Sequence, residues 1–425
     1  MKNYFLILSV FIILFVLTSA DVVGLISVLV VTLFIFFLGK RYPSVAPILY
    51  VALFTRLAAI LLDNNLLSLP DSQGDARIFE LQAYEWSRAG FPDVLNYYPG
   101  WADSFLISYM ISIFYSILDR SMLLAQSFSL LFGTLSVFMS WLLAQKLWSD
   151  KTAIKVGWFS ALFPSLILYS ALVMREMYIS FFLLVALNYV VNWFRNGSVI
   201  SFFLVIFNLM IATIFHGGMF VGIIIFLILA ISFKFKKVFS RLISGLISLK
   251  SLIYFSLAIF LVIFSTLNNV FIPKLGIIND FNVLKKEILK KNLVSHRGSA
   301  KYPSWVVAES EKELLYKFPI RAIYFIFSPF PWDVKKPSHL LGMFDGFLFM
   351  FLGYLIFKNR KVIWADPVLR TILLILISYI FVYGIATGNF GTGLRHRTKF
   401  VIMVILLAAS LLPRFTFSKK KNKRE

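Results

Sequence analysis

The 425-residue chain contains no cysteine. Disulfides, thiol catalysis and cysteine-ligated metals are therefore excluded. Acidic residues are also few, 20 Asp and Glu against 42 Lys and Arg, for a net charge of +22. So positive a chain suggests nucleic acid, but no basic domain stands outside the apolar blocks, and no nucleic-acid partner is expected. The basic residues lie mainly in short loops and the tail, where they set orientation and contact membrane lipid. There is no P-loop, dinucleotide fingerprint or kinase signature, so a soluble nucleotide donor is not indicated. The alternating pattern of a β-barrel is missing as well.

What is present is apolar. Apolar residues make up 60% of the chain and the mean hydropathy is +0.84, where soluble domains hold about 45–50%. Many windows of about 20 residues carry almost no charge, the signature of transmembrane helices. The expected class is an all-α polytopic membrane protein. Its 47 Phe and nine Trp suit a lipid-facing surface with interfacial belts. Residues 4–20 end in "LTSAD", which imitates a signal-peptide cleavage site. A second apolar span follows at once, so a signal anchor is expected instead.

Orientation follows from the tail "SKKKNKRE" (418–425), placed inside. Spans are expected at 4–20, 22–38, 45–62, 122–146, 157–174, 177–194, 200–216, 217–233, 251–270, 338–357, 369–387 and 399–413. Alternation then places four net-positive loops inside: "QKLWSDKTAIK", "RNGS", "KFKKVFSRLISGLISLK" and "KNRKVIWADPVLR". The segment 104–118 breaks the alternation if it crosses. Its serines 104, 108, 112 and 116 fall on one helical face, so it is read as a juxtamembrane helix that does not cross. About twelve crossings result, with both termini cytoplasmic. The parts are N-terminal spans (1–62), a first extracytoplasmic loop (63–121), central spans (122–270), a second loop (271–337), C-terminal spans (338–413) and a basic tail (414–425).

Nearly all unusual polar residues fall on the outer side. Stretch 63–103 holds seven acids against two bases, and Asp75, Arg77, Glu80, Tyr84 and Glu85 lie within "GDARIFELQAYEWSRAG" (74–90). Asp75, Arg77, Phe79 and Tyr84 are expected at a lip, with Glu80 and Glu85 on the solvated face of a short amphipathic helix. Arg175 and Glu176 sit between two spans, as either a helix-end ion pair or site residues. His216 precedes two glycines at another junction, and Arg56 is placed to snorkel from the outer end of its span. In "GTGLRHRTK" (391–399), Arg395, His396 and Arg397 converge where a helix begins. Arginine offers a planar fork that matches phosphate oxygens, and helix-start amides add to an anion site. "SHRGSAK" (295–301) adds cations on the same side. A carboxylate can take a hydroxyl proton, and arginines can stabilise a phosphate leaving group. Together they suit glycosyl transfer from a lipid-phosphate sugar. A lone carboxylate at Asp75 finds no second ligand, so neither a divalent cation nor any other cofactor is expected.

In the second loop, 282–294 reads as an amphipathic surface helix and 309–318 as a mixed-charge helix. "IYFIFSPFPWD" (323–333) is too short to span and is broken by prolines. Its Trp332 is either a sugar-stacking face or an interfacial anchor.

These residues resemble two families. "GDARIFELQAY" looks like the first outer loop of membrane glycosyltransferases of the GT-C type, with Asp75 at the catalytic-base position. Residues 131–187 are similar to the two spans that follow, with Glu176 at the second acidic position. "REMYISFFLLVALNYVVNWFRNGSVISFFLVIFNLMIATIFHGG" (175–218) and "LRHRTKF" (394–400) are similar to Wzy-like and EpsG-like polysaccharide polymerases. The sequence departs at Gly74, where the first family pairs two acids, and at Glu176, where the second carries Gln. The resemblance implies a GT-C-like transferase at the extracytoplasmic face of a bacterial plasma membrane, with a polyprenyl-linked saccharide donor and a glycan or lipid-linked acceptor. Asp75 and Glu176 would be catalytic, and Arg175, Arg395, His396 and Arg397 would bind donor phosphate. Arg77, Tyr84, His216 and Trp332 would bind substrate. Repeat-unit polymerisation is the leading expectation, with single-sugar transfer and a lipid-linked glycan flippase as alternatives. A flippase would carry internal repeats with midplane Gly/Pro breaks, and no such symmetry is found.

Overall fold

The computed structural model describes residues 21–100, 103–243 and 298–413, with isolated residues and two short strands between 256 and 296. Many helices begin where a polar residue precedes an apolar run. Asp21 accepts from the Gly24 amide at 2.8 Å and opens α1 (Val22–Arg41). Next come α2 (Ala46–Asn65), with a proline in its first turn, and α3 (Arg77–Ser87) and α4 (Leu106–Leu118) of the first loop. Ser121 caps α5 (Met122–Leu147) and Ser149 caps α6 (Asp150–Leu162), which is followed by α7 (Pro164–Ala171). The "RNGS" turn works residue by residue. Gly197 (φ 59°) ends α8 (Glu176–Asn196) in the left-handed conformation that costs glycine nothing, and Ser198 caps α9 (Val199–Phe215). Helix α10 (Phe220–Ile243) runs on through the first part of an expected loop. Strands β1 (Val270–Ile272) and β2 (Gly276–Ile278) pair antiparallel.

The C-terminal part contains α11 (Glu311–Tyr316), α12 (Phe318–Phe327), α13 (Ser338–Lys358) and α14 (Arg360–Ala365). Asp366 caps α15 (Pro367–Ala386), Asn389 caps α16 (Phe390–Thr398), and α17 (Val401–Ala408) follows. A cap of this kind contributes about 1 kcal/mol.

Among the described residues, six helices are long and apolar enough to cross a membrane: α1, α2, α5, α8, α13 and α15. The pair α6–α7, bent by 54°, makes a seventh if it counts as one broken span. Expected spans 200–216, 217–233 and 399–413 fall on shorter apolar helices. The spans 4–20 and most of 251–270, the tail 414–425 and most of 282–294 lie outside the described residues. The chain is thus an α-helical protein with the helices of an integral membrane protein. Segment 104–118 forms α4, whose thirteen residues rise about 20 Å, short of a hydrocarbon core of about 30 Å.

The first loop is held by a buried carboxylate. Glu80 is fully enclosed, accepts from Arg120 Nε at 2.8 Å and Nη2 at 2.9 Å, and lies 3.3 Å from the Tyr115 hydroxyl oxygen. The single Tyr115 hydroxyl hydrogen has its closer acceptor in the Ser121 carbonyl at 2.8 Å, and the Ser121 hydroxyl donates to Asp21 at 2.6 Å. The loop is therefore tied to the starts of α1 and α5. This corrects the expectation of a solvated Glu80; of the two glutamates on α3, only Glu85 faces solvent. Of the serine stripe, Ser108 and Ser112 of α4 are buried, and Ser108 donates to the Phe79 carbonyl at 2.7 Å.

Two breaks inside the bundle are closed by arginine. Pro164 has no amide hydrogen and holds Phe163 extended, so α6 ends early and leaves carbonyls without helical partners. Arg56 donates to Ala161 O at 2.9 Å, Ser160 O at 3.3 Å and Ser170 Oγ at 3.2 Å. It is fully buried, which corrects the expectation of a snorkelling side chain. Arg321 of α12 donates to Ile385 O and Thr387 O at 2.7 and 2.8 Å, closing the end of α15.

Close helix crossings use glycine. A Cβ on Gly346 of α13 would lie 2.2 Å from the Phe327 carbonyl oxygen, whereas one on Gly353 would meet only a ring edge at 3.8 Å. Gly346→Ala should therefore cost about 1–3 kcal/mol and lower the thermal unfolding midpoint in detergent. Gly353→Ala should leave it nearly unchanged, and equal midpoints for the two variants would contradict this packing.

Candidate functional site

The site forms where the turn before α3 meets α16. An irregular turn, Ser72–Ala76, with Gly74 outside helical geometry, sets Asp75 at the start of α3. Arg395, on α16, donates to the Asp75 carboxylate and faces Glu176 Oε1 at 3.8 Å on its other side. Exposure falls steeply inward: 45% for the Asp75 side chain, 15% for Arg395 and 0% for Glu176. Glu176 opens α8, where the helix start favours a carboxylate.

Behind this pair lies a layer of ionisable groups. Lys399 Nζ is 3.8 Å from Glu176 Oε1 and 2.8 Å from His396 Nδ1, and both Lys399 and Glu176 are fully enclosed. The Tyr383 hydroxyl lies 3.0 Å from His216 Nδ1, and the two histidine rings stand 5.1 Å apart. Asp71 accepts from the Tyr169 hydroxyl at 2.8 Å. Arg175 donates to Phe215 O at 3.3 Å, and its charge interacts with those of Glu176, Arg395 and Asp75. Three carboxylates (Asp71, Asp75, Glu176) are thus balanced by three cations (Arg175, Arg395, Lys399). Neither oxygen of Glu176 accepts a hydrogen bond from a described residue, so its charge is met at a distance by two cations.

The expected site residues divide into two groups. Asp75, Glu176, Arg175, Arg395, His396 and His216 come together here. Arg397 does not join them and corrects the expectation of a phosphate ligand. It is fully buried and donates to Ile326 O (2.9 Å), Ser328 O (2.6 Å), Gly342 O (3.2 Å) and Asp345 Oδ2 (3.0 Å). A second contact to Asp345, from Nη2 at 2.9 Å, engages the last of the five guanidinium hydrogens. Arg397 closes the end of α12 as Arg56 closes α6. Arg77 lies 3.6 Å from Glu80, and Tyr84 lies under the Arg120 guanidinium at 4.2 Å; both belong to the Glu80 anchor. Trp332 stands apart, 68% exposed and stacked on Phe330 at 4.9 Å. Lys301 pairs with Asn389 just ahead of α16.

Four residues of the cluster escape the sequence reading. Lys399 follows Arg395 by four residues, one helical turn, and that spacing was a readable signal. Asp71 adopts φ 67°, a region that Asp tolerates better than most residues, four positions before Asp75. Tyr169 stands alone in an apolar run and Tyr383 shares its run with Tyr379, and neither carries such a signal. Asp345, the partner of Arg397, is a lone carboxylate inside a span and was legible as costly. Among the described residues no three His, Asp or Glu side chains gather as a metal site.

Burial raises the Asp71 carboxyl above its usual range; Arg395 and the Tyr169 hydroxyl pull it down, while Asp75 and Glu176 push it further up. A raised folded-state value means that the group's stabilising contribution is complete below its ordinary pKa of 3.8 and is lost as pH climbs through the folded value. Asp71→Asn keeps a partner for Tyr169, tolerates the positive φ and removes that loss. Its unfolding midpoint relative to the native chain should rise as pH climbs above about 4; a constant difference would contradict the assignment. The two arginines should also separate. Arg397→Gln leaves Asp345 unpaired and should cost about 3 kcal/mol or more, seen as loss of monodisperse protein in size-exclusion chromatography. Arg395→Gln leaves Lys399 beside Glu176 and should remain folded. No protein-family model matches this sequence and no curated protein matches it, so the geometry of the Asp75–Arg395–Glu176 cluster carries the functional reading.

Proposed function

We propose that the chain is an integral membrane glycosyltransferase. It takes sugar from a polyprenyl phosphate or diphosphate donor at the extracytoplasmic face and extends cell-surface polysaccharide repeat units. The observation that carries this reading is the Asp75–Arg395 pair: a solvent-reached carboxylate against a mostly buried guanidinium, backed by enclosed Glu176 and Lys399. In the proposed reaction an acceptor hydroxyl attacks the sugar's anomeric carbon and passes its proton to Asp75. The bond from that carbon to the phosphate oxygen breaks, and its electron pair leaves with the phosphate. Arg395 meets the developing charge, with His396 and Lys399 behind it. Glu176 acts through Arg395 and Lys399, which supports a positioning role. About twelve crossings, both termini inside and a GT-C-like arrangement belong to the same proposal. A broken helix lining a substrate path is a transporter feature; here the α6–α7 break is sealed by Arg56, which favours transfer over transport.

Loss of the chain from its cell should leave single completed repeat units on the lipid carrier and abolish long surface glycan, read by mass spectrometry of lipid-linked intermediates. Asp75→Asn should reproduce that state with the protein still in the membrane. Long chains that persist but lack one sugar would point to single-sugar transfer. An unchanged glycan would contradict the proposal.

A further inference from the structure

Arg395 has two carboxylate neighbours in very different settings. Glu176 is enclosed at the first turn of α8. Asp75 is 45% exposed and belongs to the irregular turn Ser72–Ala76. That turn has room to move: a side chain added at Gly74 would meet nothing within 4 Å. An ion pair with a solvent-reached partner holds weakly, whereas a phosphate brings more charge and a geometry that fits the guanidinium fork. An anion arriving from solvent meets Arg395 on the side that Asp75 occupies.

We propose that Asp75 is the resident occupant of the phosphate subsite and that donor binding exchanges it. The inference rests on the reading of Arg395 as the phosphate-binding residue. Without donor, Asp75 and Arg395 satisfy each other and the carboxylate is tied up. Donor phosphate takes the place of Asp75 on Arg395. Glu176 and Lys399 stay enclosed behind it, and Glu176 keeps the guanidinium aimed during the exchange. The released carboxylate is then available to take a proton from the acceptor hydroxyl. The base is thus freed only when a leaving group is in place, which withholds it from the site while no donor is bound. Glu176 is a positioning residue in this scheme, and Asp75 serves both states.

Competition predicts an affinity change. A binding site blocked for about nine-tenths of the time binds about tenfold more weakly than an open one. The test is calorimetric binding of inorganic pyrophosphate to the full chain in detergent. The forms compared are native, Asp75→Ala, Arg395→Gln and Glu85→Gln, the last removing a charge from the exposed face of α3. The expected result is about tenfold tighter binding in Asp75→Ala, a change under about twofold in Glu85→Gln, and loss of binding in Arg395→Gln. Unchanged or weaker binding in Asp75→Ala, with Arg395 still required, would overturn the exchange and leave the phosphate reading standing. Equal tightening in Asp75→Ala and Glu85→Gln would reduce the effect to general repulsion and also overturn it. Binding that does not depend on Arg395, or no binding in any form, would overturn both.

Discussion

A helix that stops inside an apolar bundle leaves carbonyl oxygens with no amide and no water to meet them. This constraint organises the described chain. Arg56 meets the carbonyls at the end of α6, Arg321 those at the end of α15 and Arg397 those at the end of α12. Each brings a positive charge to the negative end of a helix, and all three are fully buried. Arg397 has a carboxylate as well, Asp345, one residue before the glycine that lets α13 cross α12 closely. Helix breaks are thereby made compatible with a packed interior.

The same construction positions the site. Closing the end of α12 with Arg397 fixes α16, and a fixed α16 presents Arg395 and His396 on another face, toward Asp75 and His216. Two arginines two positions apart in one short motif therefore do different work: one is saturated by the protein, and the other faces a solvent-reached carboxylate. On the opposite side, Glu80 and Arg120 dock the first loop on the starts of α1 and α5 and hold α3 with Asp75 at its head. Charge balance among Asp71, Asp75, Glu176, Arg175, Arg395 and Lys399 allows so many ionisable groups to share a largely enclosed space.

Composition alone made the helical membrane class legible, and polar residues ahead of apolar runs marked the starts at Ser121 and Ser198; Arg395, His396 and Arg397, expected at a helix start, instead form the last turn of α16, so helix-start amides do not add to an anion site there. The turn at Gly197 was equally readable. Six of the expected site residues meet in space because they lie at helix junctions on one side, which alternation could order. What could not be read was direction. Nothing in "LRHR" says which arginine faces inward; that depends on the carbonyls of Ile326, Ser328 and Gly342, about 55 to 71 residues away in the chain. Glu80 looked like a surface residue because its partners, Arg120 and Tyr115, come from a later helix and the turn after it. Burial of a charge is decided by distant partners, and local pattern does not record them.

The central claim is that the chain breaks a bond between a sugar and a lipid-borne phosphate. The direct measurement is the release of free polyprenyl phosphate or diphosphate from lipid-linked saccharide by the purified chain in vesicles, followed by mass spectrometry. The account predicts lipid phosphate released in step with glycan growth, and neither product when Asp75 is replaced by Asn. Saccharide that moves from one leaflet to the other with its lipid linkage intact, and no lipid phosphate released, would contradict it.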